Sequence, residues 1–237
     1  MSEQRVIGLI GGMSWKSSAE YYRLINEGVR DRLGGLHSAR CLMWSFDFHQ
    51  IEALQRPEGW DQATALMIEA ARRLERGGAE CLLICANTMH RMAEAVEAAT
   101  PLALLHIADP TAERIKAAGL TRVGLLGTAF TMEQAFYRAR LTDRHGLEVL
   151  IPEDEDRALV HRVIFDELVQ GRVEPASREA FRGVMARLAD RGAQAIILGC
   201  TEFGLLVGPD DCALPLLDTT VLHAQAAVDF ALAGRPD

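Results

Sequence analysis

The chain has 237 residues, of which 49% are hydrophobic and 24% charged, a mixture typical of a globular protein and too apolar for a disordered one. A formal net charge of −8, with Arg residues scattered among acids, excludes a basic nucleic-acid surface. No signal peptide and no apolar run of the ~20 residues that a membrane span needs are present, so we expect a soluble, cytoplasmic protein.

Short apolar runs alternate with helix-length amphipathic segments, which is the pattern of buried parallel strands in an α/β protein. The predicted strands are Val6–Ile10, Cys41–Phe46, Cys81–Cys85, Leu102–Ile107, Val123–Leu126, Leu147–Ile151, Ile196–Leu198 and Leu214–Leu217. The predicted helices are Ser17–Leu33, Trp60–Arg76, Arg91–Ala99, Pro110–Ala118, Met132–Arg140, Glu155–Gln170, Ser177–Arg191 and Val221–Ala233.

The sequence repeats itself. The segment Arg73–Cys85 matches Arg187–Gly199 at an offset of 114 residues, and Val6–Gly11 matches Arg122–Gly127 at an offset of 116. Because two repeated segments occur in the same order, we favour duplication of an ancestral lobe over the chance reuse of a Gly turn before a strand. We therefore expect two pseudo-symmetric lobes, 1–112 (joined by a C-terminal helix at 219–235) and 113–218.

Ligands of open parallel sheets bind beyond the carboxyl ends of the strands, so the active site is expected in a cleft where the two lobes present those ends. The repeat pairs Cys200 with Ala86, and not with Cys85. A thiol at the start of a helix feels the positive end of the helix dipole, which favours the thiolate. Most free cysteines are nevertheless inert core residues.

The turns after the strands offer hydroxyls and N–H groups that suit a small anion, although Ser14 and Thr128 are also explained as plain N-caps. Neither GxGxxG nor GxxxxGK[ST] occurs, which argues against a dinucleotide or a nucleoside triphosphate. The only lysines, Lys16 and Lys116, are both predicted to face solvent, so no lysine is a candidate for a Schiff base with pyridoxal phosphate. The five cysteines lack a metal-ligand spacing and indicate a reduced compartment.

Four motifs in order resemble the aspartate/glutamate racemase family over essentially the whole chain, closest to its subgroup with GGMSW and NTMH motifs. They are Gly11-Gly12-Met13-Ser14-Trp15, Cys85-Ala86-Asn87-Thr88-Met89-His90, Leu126-Gly127-Thr128 and Gly199-Cys200-Thr201-Glu202. The resemblance implies two α/β lobes, a homodimer, and isomerisation of an acidic amino acid without cofactor or metal.

In that family two residues stand on opposite faces of the substrate Cα, one removing the α-proton and the other delivering a proton. The resemblance gives Cys200 one of these roles, whereas Ala86 occupies the other position and has no proton to take or give. The subgroup carries threonine there. Cys85 is an unsuitable substitute because successive strand side chains point to opposite faces, which aims Cys85 into the core.

The resemblance also implies contacts between the substrate and a set of further side chains: Met13, Gln55, Asn87, Thr88, Thr128, Thr131 and Thr201. Core filling for Met13 and a solvated helix end for Gln55 explain these two residues equally well. The lysine that many aspartate-specific members carry near 164–171 is absent, and Arg56 is the nearest alternative cation. Histidines at such positions are more often structural than catalytic, which applies here to His90, His106 and His223.

Three functions remain open at this point. The first is an amino-acid racemase acting on aspartate or glutamate by thiol-based proton transfer, impaired by Ala86. The second is a single-thiol decarboxylase or isomerase, which needs only Cys200 as proton donor. The third is a catalytically silent amino-acid binder.

Overall fold

The computed structural model describes residues 4–233, which form two four-stranded parallel sheets flanked by helices. This confirms the predicted α/β class and all eight predicted strands, each within a few residues. The chain divides into two compact units, the first made of the described residues up to Ile107 together with those from His223 onward, and the second of Ala108–Leu222.

The first sheet has the strand order β2-β1-β3-β4. Its strands are β1 (Ile7–Gly11), β2 (Cys41–Ser45), β3 (Cys81–Ile84) and β4 (Ala103–Leu105). The helices along this part of the chain are α1 (Trp15–Leu33), α2 (Phe48–Glu52), α3 (Trp60–Arg76) and α4 (Ala93–Ala99). Strands β1 and β3 are buried along their whole length, as expected for the central strands of a parallel sheet covered on both faces.

The second sheet has the equivalent order β6-β5-β7-β8. Its strands are β5 (Arg122–Gly127), β6 (Glu148–Leu150), β7 (Ile196–Gly199) and β8 (Leu216–Asp218). The helices of this part are α5 (Ala108–Ala117), α6 (Ala129–Glu133), α7 (Ala135–Ala139), α8 (Asp154–Val163), α9 (Pro175–Asp190) and α10 (Phe203–Leu206). The last helix, α11 (Thr219–Leu232), packs Ala224, Ala227 and Val228 into the core of the first unit.

The repeat seen in the sequence is reproduced in the pairing of the strands. Gly8 of β1 pairs with Leu82 of β3, and Gly124 of β5 pairs with Ile196 of β7. Gly8 and Gly124 are 116 residues apart, and Leu82 and Ile196 are 114 residues apart, which are the offsets of the two repeated sequence segments. The two sheets therefore share strand order and register.

The turns that lead into β3 and β7 are also alike. Gly78 and Gly192 both have φ of 93°, a left-handed conformation that glycine adopts without the cost imposed by a Cβ. Since both turn and register repeat, Ala86 lies two residues after Ile84 of β3, and Cys200 lies two residues after Leu198, the equivalent residue of β7. The structure thus supports the pairing of Cys200 with Ala86.

Three predicted helices are less regular than expected. The helix predicted at Met132–Arg140 is broken at Gln134, whose φ of −79° and ψ of 149° are extended. The prediction at Glu155–Gln170 covers α8 followed by a π-helical turn at Ile164–Leu168. The prediction at Arg91–Ala99 covers α4 preceded by a 3-10 turn at Thr88–Met92. Gln is a good helix former, so the break at Gln134 has no signal in the local sequence.

Candidate active site

Cys200 lies directly after β7 and is 8% exposed. Its Sγ is 3.1 Å from Oε2 of Glu202, and the Thr201 hydroxyl donates to the same carboxylate oxygen at 2.7 Å. Glu202 is itself 5% exposed. A thiol and a hydroxyl therefore share one buried carboxylate oxygen at the carboxyl end of the second sheet.

The thiol form of Cys200 is favoured in this environment. Burial raises the pKa of the Cys200 thiol well above its usual value, and the negative charge of Glu202 raises it further. Burial and the Glu202 charge therefore oppose the stabilisation of the thiolate that was expected from a helix dipole. Helix α10 has four residues, so its dipole is weak beside the desolvation and the adjacent carboxylate.

This arrangement suits proton transfer in both directions. As a thiol, Cys200 is a proton donor, and Glu202 is placed to accept the thiol proton when Cys200 has to act as a base. The sequence reasoning singled out Thr201 and gave Glu202 no role of its own. The available signal was an acidic residue two positions after a cysteine in a strand-end turn.

Removal of the Glu202 charge should make Cys200 easier to ionise. We expect Glu202→Gln to lower the pKa of the Cys200 thiol, because the neighbouring negative charge is lost. A larger thiolate fraction reacts faster, so iodoacetamide should alkylate Cys200 faster at pH 8 than it does in the wild-type protein. Mass spectrometry of the Cys200 peptide measures this rate, with the Cys212 peptide as the internal control. An unchanged or slower rate at Cys200 would contradict the assignment.

Ala86 is half-buried and follows β3, with only a methyl group as its side chain. The neighbouring Cys85 is fully buried in the hydrophobic core with Leu83 and Tyr21. Burial raises the pKa of the Cys85 thiol far above its usual value. Cys85 therefore packs in the core of the first unit.

Buried histidines hold the backbone around Ala86. The Ile107 N–H donates to Nε2 of His90 at 3.2 Å, so Nδ1 carries the hydrogen and donates it to the Ala86 carbonyl at 2.8 Å. His223 donates from Nε2 to the Leu105 carbonyl at 2.7 Å. These backbone contacts give His90 and His223 structural roles, and the His106 ring packs edge-on against His90 with centroids 4.5 Å apart.

The loop after β1 is tightly constrained. Ser14 has φ of 108°, which is unusual for a residue with a Cβ, and is 6% exposed. The Gly12 N–H donates to the Ser18 hydroxyl at 2.8 Å. Gly12 has φ of 84°, and a Cβ there would overlap the backbone of Phe46. Strained, over-determined loops of this kind cluster at functional sites.

The close approach at Gly12 predicts a large effect on stability. Gly12→Ala should cost about 3 kcal/mol or more of the free energy of unfolding, because backbone strain and steric overlap add. Gly34→Ala is the matched control, since Gly34 has φ of 74° but open space around the position of its Cβ. We expect about 1–2 kcal/mol for this control. Equal losses for both variants in urea denaturation would contradict the close approach.

The other predicted site residues of the first unit lie around its strand ends. Met13, Asn87 and Thr88 are buried, at 6%, 5% and 9% exposure. Gln55 is half-buried and its amide faces the Met89 sulfur at 4.0 Å, whereas Arg56 is exposed. Met13 and Asn87 thus follow β1 and β3, the two central strands of this sheet.

The turn after β5 is less open than the sequence suggested. Thr128 caps α6 by accepting from the Thr131 N–H at 3.2 Å, which is the plain capping role. The Ala129 N–H donates to Nδ1 of His161 at 3.2 Å, an interaction missed by the sequence reasoning. The N–H groups of Ala129 and Thr131 in this turn therefore have partners within the protein.

Thr131 is fully buried, and its methyl carbon is 3.5 Å from the place a Cβ would take on Gly199. This close packing brings the β5 turn next to the residue before Cys200.

Among residues 4–233, no helix is long and apolar enough to cross a membrane. The same residues contain no group of three or more metal-ligating side chains that could hold an ion.

A family model described as Asp/Glu/Hydantoin racemase matches residues 10–227 of the chain. The chain belongs to this family. The family assignment made from the four sequence motifs is thereby confirmed.

Similar proteins of known structure support the same family. A crystal structure of a putative Asp/Glu racemase from Yersinia pestis is 52% identical, with a TM-score of 0.92 over 97% of this chain and 100% of that one. An aspartate racemase homologue from Pyrococcus horikoshii OT3 is 32% identical, with a TM-score of 0.83 over 98% and 99% of the two chains.

The Broad specificity amino-acid racemase RacX of Bacillus subtilis (strain 168) is 22% identical over 96% of this chain and 99% of its own length. Together with the family model, these relatives support amino-acid racemase activity in general.

Proposed function

We propose that the chain is a cofactor-independent racemase of aspartate or glutamate in which Cys200 transfers a proton at the substrate Cα. The observation that carries this proposal is the buried Cys200 thiol beside Glu202 at 3.1 Å, at the carboxyl end of a parallel sheet. The thiol delivers a proton, and after passing its own proton to Glu202 it removes one from Cα.

Racemisation also needs an acid/base on the opposite face of Cα. The family resemblance assigns this second acid/base to the position that the repeat pairs with Cys200. Ala86 fills that position and transfers no proton. We therefore expect racemisation by this chain to be slow.

The proposed substrate contacts are Met13, Gln55, Asn87, Thr88, Thr128, Thr131 and Thr201. The segment 164–171 lacks the lysine of many aspartate-specific relatives, which favours a substrate range wider than aspartate alone. Arg56 is the candidate cation of the first unit, and its exposed side chain is accessible to a carboxylate.

A single-thiol decarboxylation or isomerisation is the second candidate. The specific observation in its favour is that Cys200 is held as a thiol, which is the form that reprotonates a carbanion. Such a reaction requires no group at Ala86. Release of CO₂ from a malonate-type acid, without any racemisation, would identify it.

Chiral chromatography of L-aspartate and L-glutamate after incubation tests the racemase proposal. We expect slow formation of the D-enantiomer by the wild-type protein and faster formation by Ala86→Thr, which installs the subgroup's residue. If neither protein forms a D-enantiomer, the racemase proposal fails. Binding of the amino acid without turnover, measured by calorimetry, would then identify a silent binder.

We also propose that the protein works as a cytoplasmic homodimer. In support, large apolar side chains of the first unit are exposed, with Trp15 at 68% and Tyr22 at 53% on α1 and Met43 at 40% on β2. Association of two chains would remove such apolar surface from water. Light scattering should give twice the chain mass of 26.0 kDa, and a monomer at micromolar concentration would contradict the dimer.

A further inference from the structure

We infer that this protein exchanges the α-hydrogen of one enantiomer of its substrate with solvent, with retention of configuration, much faster than it racemises that substrate. The inference rests on the proposed function. Its basis is an asymmetry between equivalent strand ends, because Cys200 carries a transferable proton and Ala86 does not. The activity is a hydrogen exchange at Cα of an amino acid, distinct from its isomerisation.

The surroundings of Ala86 offer no substitute base. The Cys85 thiol is fully buried in the core of the first unit. Both ring nitrogens of His90 are engaged with the backbone, one with the Ala86 carbonyl and the other with the Ile107 N–H. Asn87, the next residue, carries an amide that does not titrate.

The surroundings of Cys200 supply a complete proton cycle. The thiol first passes its proton to the Glu202 carboxylate, which leaves a thiolate and a neutral acid. The thiolate then takes the α-proton, so the Cα–H bond breaks, an S–H bond forms, and the electron pair stays on Cα and its carboxylate group. The proton on sulfur exchanges with solvent through Glu202, and the sulfur returns a solvent proton to Cα. Glu202 finally gives its proton back to the sulfur.

The net reaction in D₂O replaces Cα–H by Cα–D and releases HDO, with no oxidant or other reactant. The same sulfur removes and returns the hydrogen, so both steps occur on one face of Cα and the configuration is kept. Racemisation would require delivery from the other face by a second acid/base, and Ala86, which the repeat pairs with Cys200, carries no transferable proton. Only the enantiomer whose α-hydrogen points to Cys200 exchanges.

Exchange with solvent is feasible although the pair is buried. Cys200 and Glu202 are 8% and 5% exposed, while the intervening Thr201 is half-buried and its hydroxyl donates to the same Glu202 oxygen. This hydroxyl gives the carboxylate a hydrogen-bonded neighbour nearer to water. Protons on such groups exchange far faster than a Cα–H bond does.

The test follows the α-proton signal of each enantiomer of aspartate and glutamate in D₂O by ¹H NMR, with chiral chromatography of the same samples. For the wild-type protein we expect loss of the α-proton of one enantiomer only, at least about tenfold faster than racemisation, which corresponds to ~1.4 kcal/mol. Ala86→Cys should bring the two rates within a factor of about two, and Cys200→Ala should abolish exchange. Circular dichroism verifies that both variants are folded.

The outcomes separate this inference from the proposed function. Equal rates of exchange and racemisation by the wild-type protein would overturn the inference and leave the racemase standing, with a second base outside the surroundings of Ala86. Racemisation by Ala86→Cys without any exchange by the wild type would also overturn the inference alone. Exchange of both enantiomers would overturn it too. If neither protein exchanges or racemises any enantiomer, the proposed function itself fails.

Discussion

Ala86→Cys is expected to raise the rate of racemisation by about 100-fold or more over the wild-type protein, because a positioned general acid/base contributes about 10²–10⁴-fold. Position 86 after β3 is the equivalent of position 200 after β7 in the repeated strand pairing, so a cysteine at 86 would occupy the place that corresponds to Cys200. Its half-buried methyl leaves the replacement thiol partly accessible. Chiral chromatography of aspartate and glutamate measures the gain.

Ala86→Val is the matched control for this gain. Valine occupies at least the volume of a cysteine side chain but carries no transferable proton, so this variant should racemise no faster than the wild-type protein. A gain with valine as large as that with cysteine would mean that shape limits the reaction. A folded Ala86→Cys protein without any gain would contradict the assignment of this position to proton transfer.

Cys200→Ala is expected to lower the rate of α-hydrogen exchange by about 10³-fold or more, because it removes the acid/base that acts on Cα. The alanine keeps the Cβ and leaves the backbone turn unchanged. Loss of the sulfur from a site that packs with Leu198 and Phe203 should lower stability as well. Activity is therefore compared at a temperature where thermal melting shows both proteins to be folded.

Cys212→Ala is the control for Cys200→Ala. Cys212 lies in the same unit, is half-buried, and accepts from the Leu214 N–H through its sulfur at 3.4 Å. Its replacement removes a thiol from the second unit without touching the Cys200–Glu202 pair. Exchange should continue near the wild-type rate in this variant. Equal losses in the two variants would show that the effect is not specific to Cys200.

The strands and their register were predictable from the sequence because a strand that is buried on both faces has a continuous apolar sequence. A central strand such as Cys81–Ile84 reads as a continuous apolar run, and the repeated Gly turn at Gly78 and Gly192 fixes where each run begins. From that register alone, Cys85 is assigned to the core, where the structure places it.

The state of the candidate site was not predictable in the same way. The protonation of Cys200 depends on burial and on the distance to Glu202, and both are properties of the packed structure. The partner that His161 provides for the Ala129 N–H comes from 32 residues further along the chain. Long-range contacts of this kind leave no periodic signal, and neither does the break between α6 and α7 at Gln134.

The claim that Cys200 is the proton-transfer group of the second unit is tested most directly in the Ala86→Cys background. Chiral chromatography compares racemisation of aspartate and glutamate by Ala86→Cys with that by the double variant Ala86→Cys/Cys200→Ala. We predict racemisation by the single variant and none by the folded double variant. Racemisation by the double variant at the rate of Ala86→Cys would contradict the account.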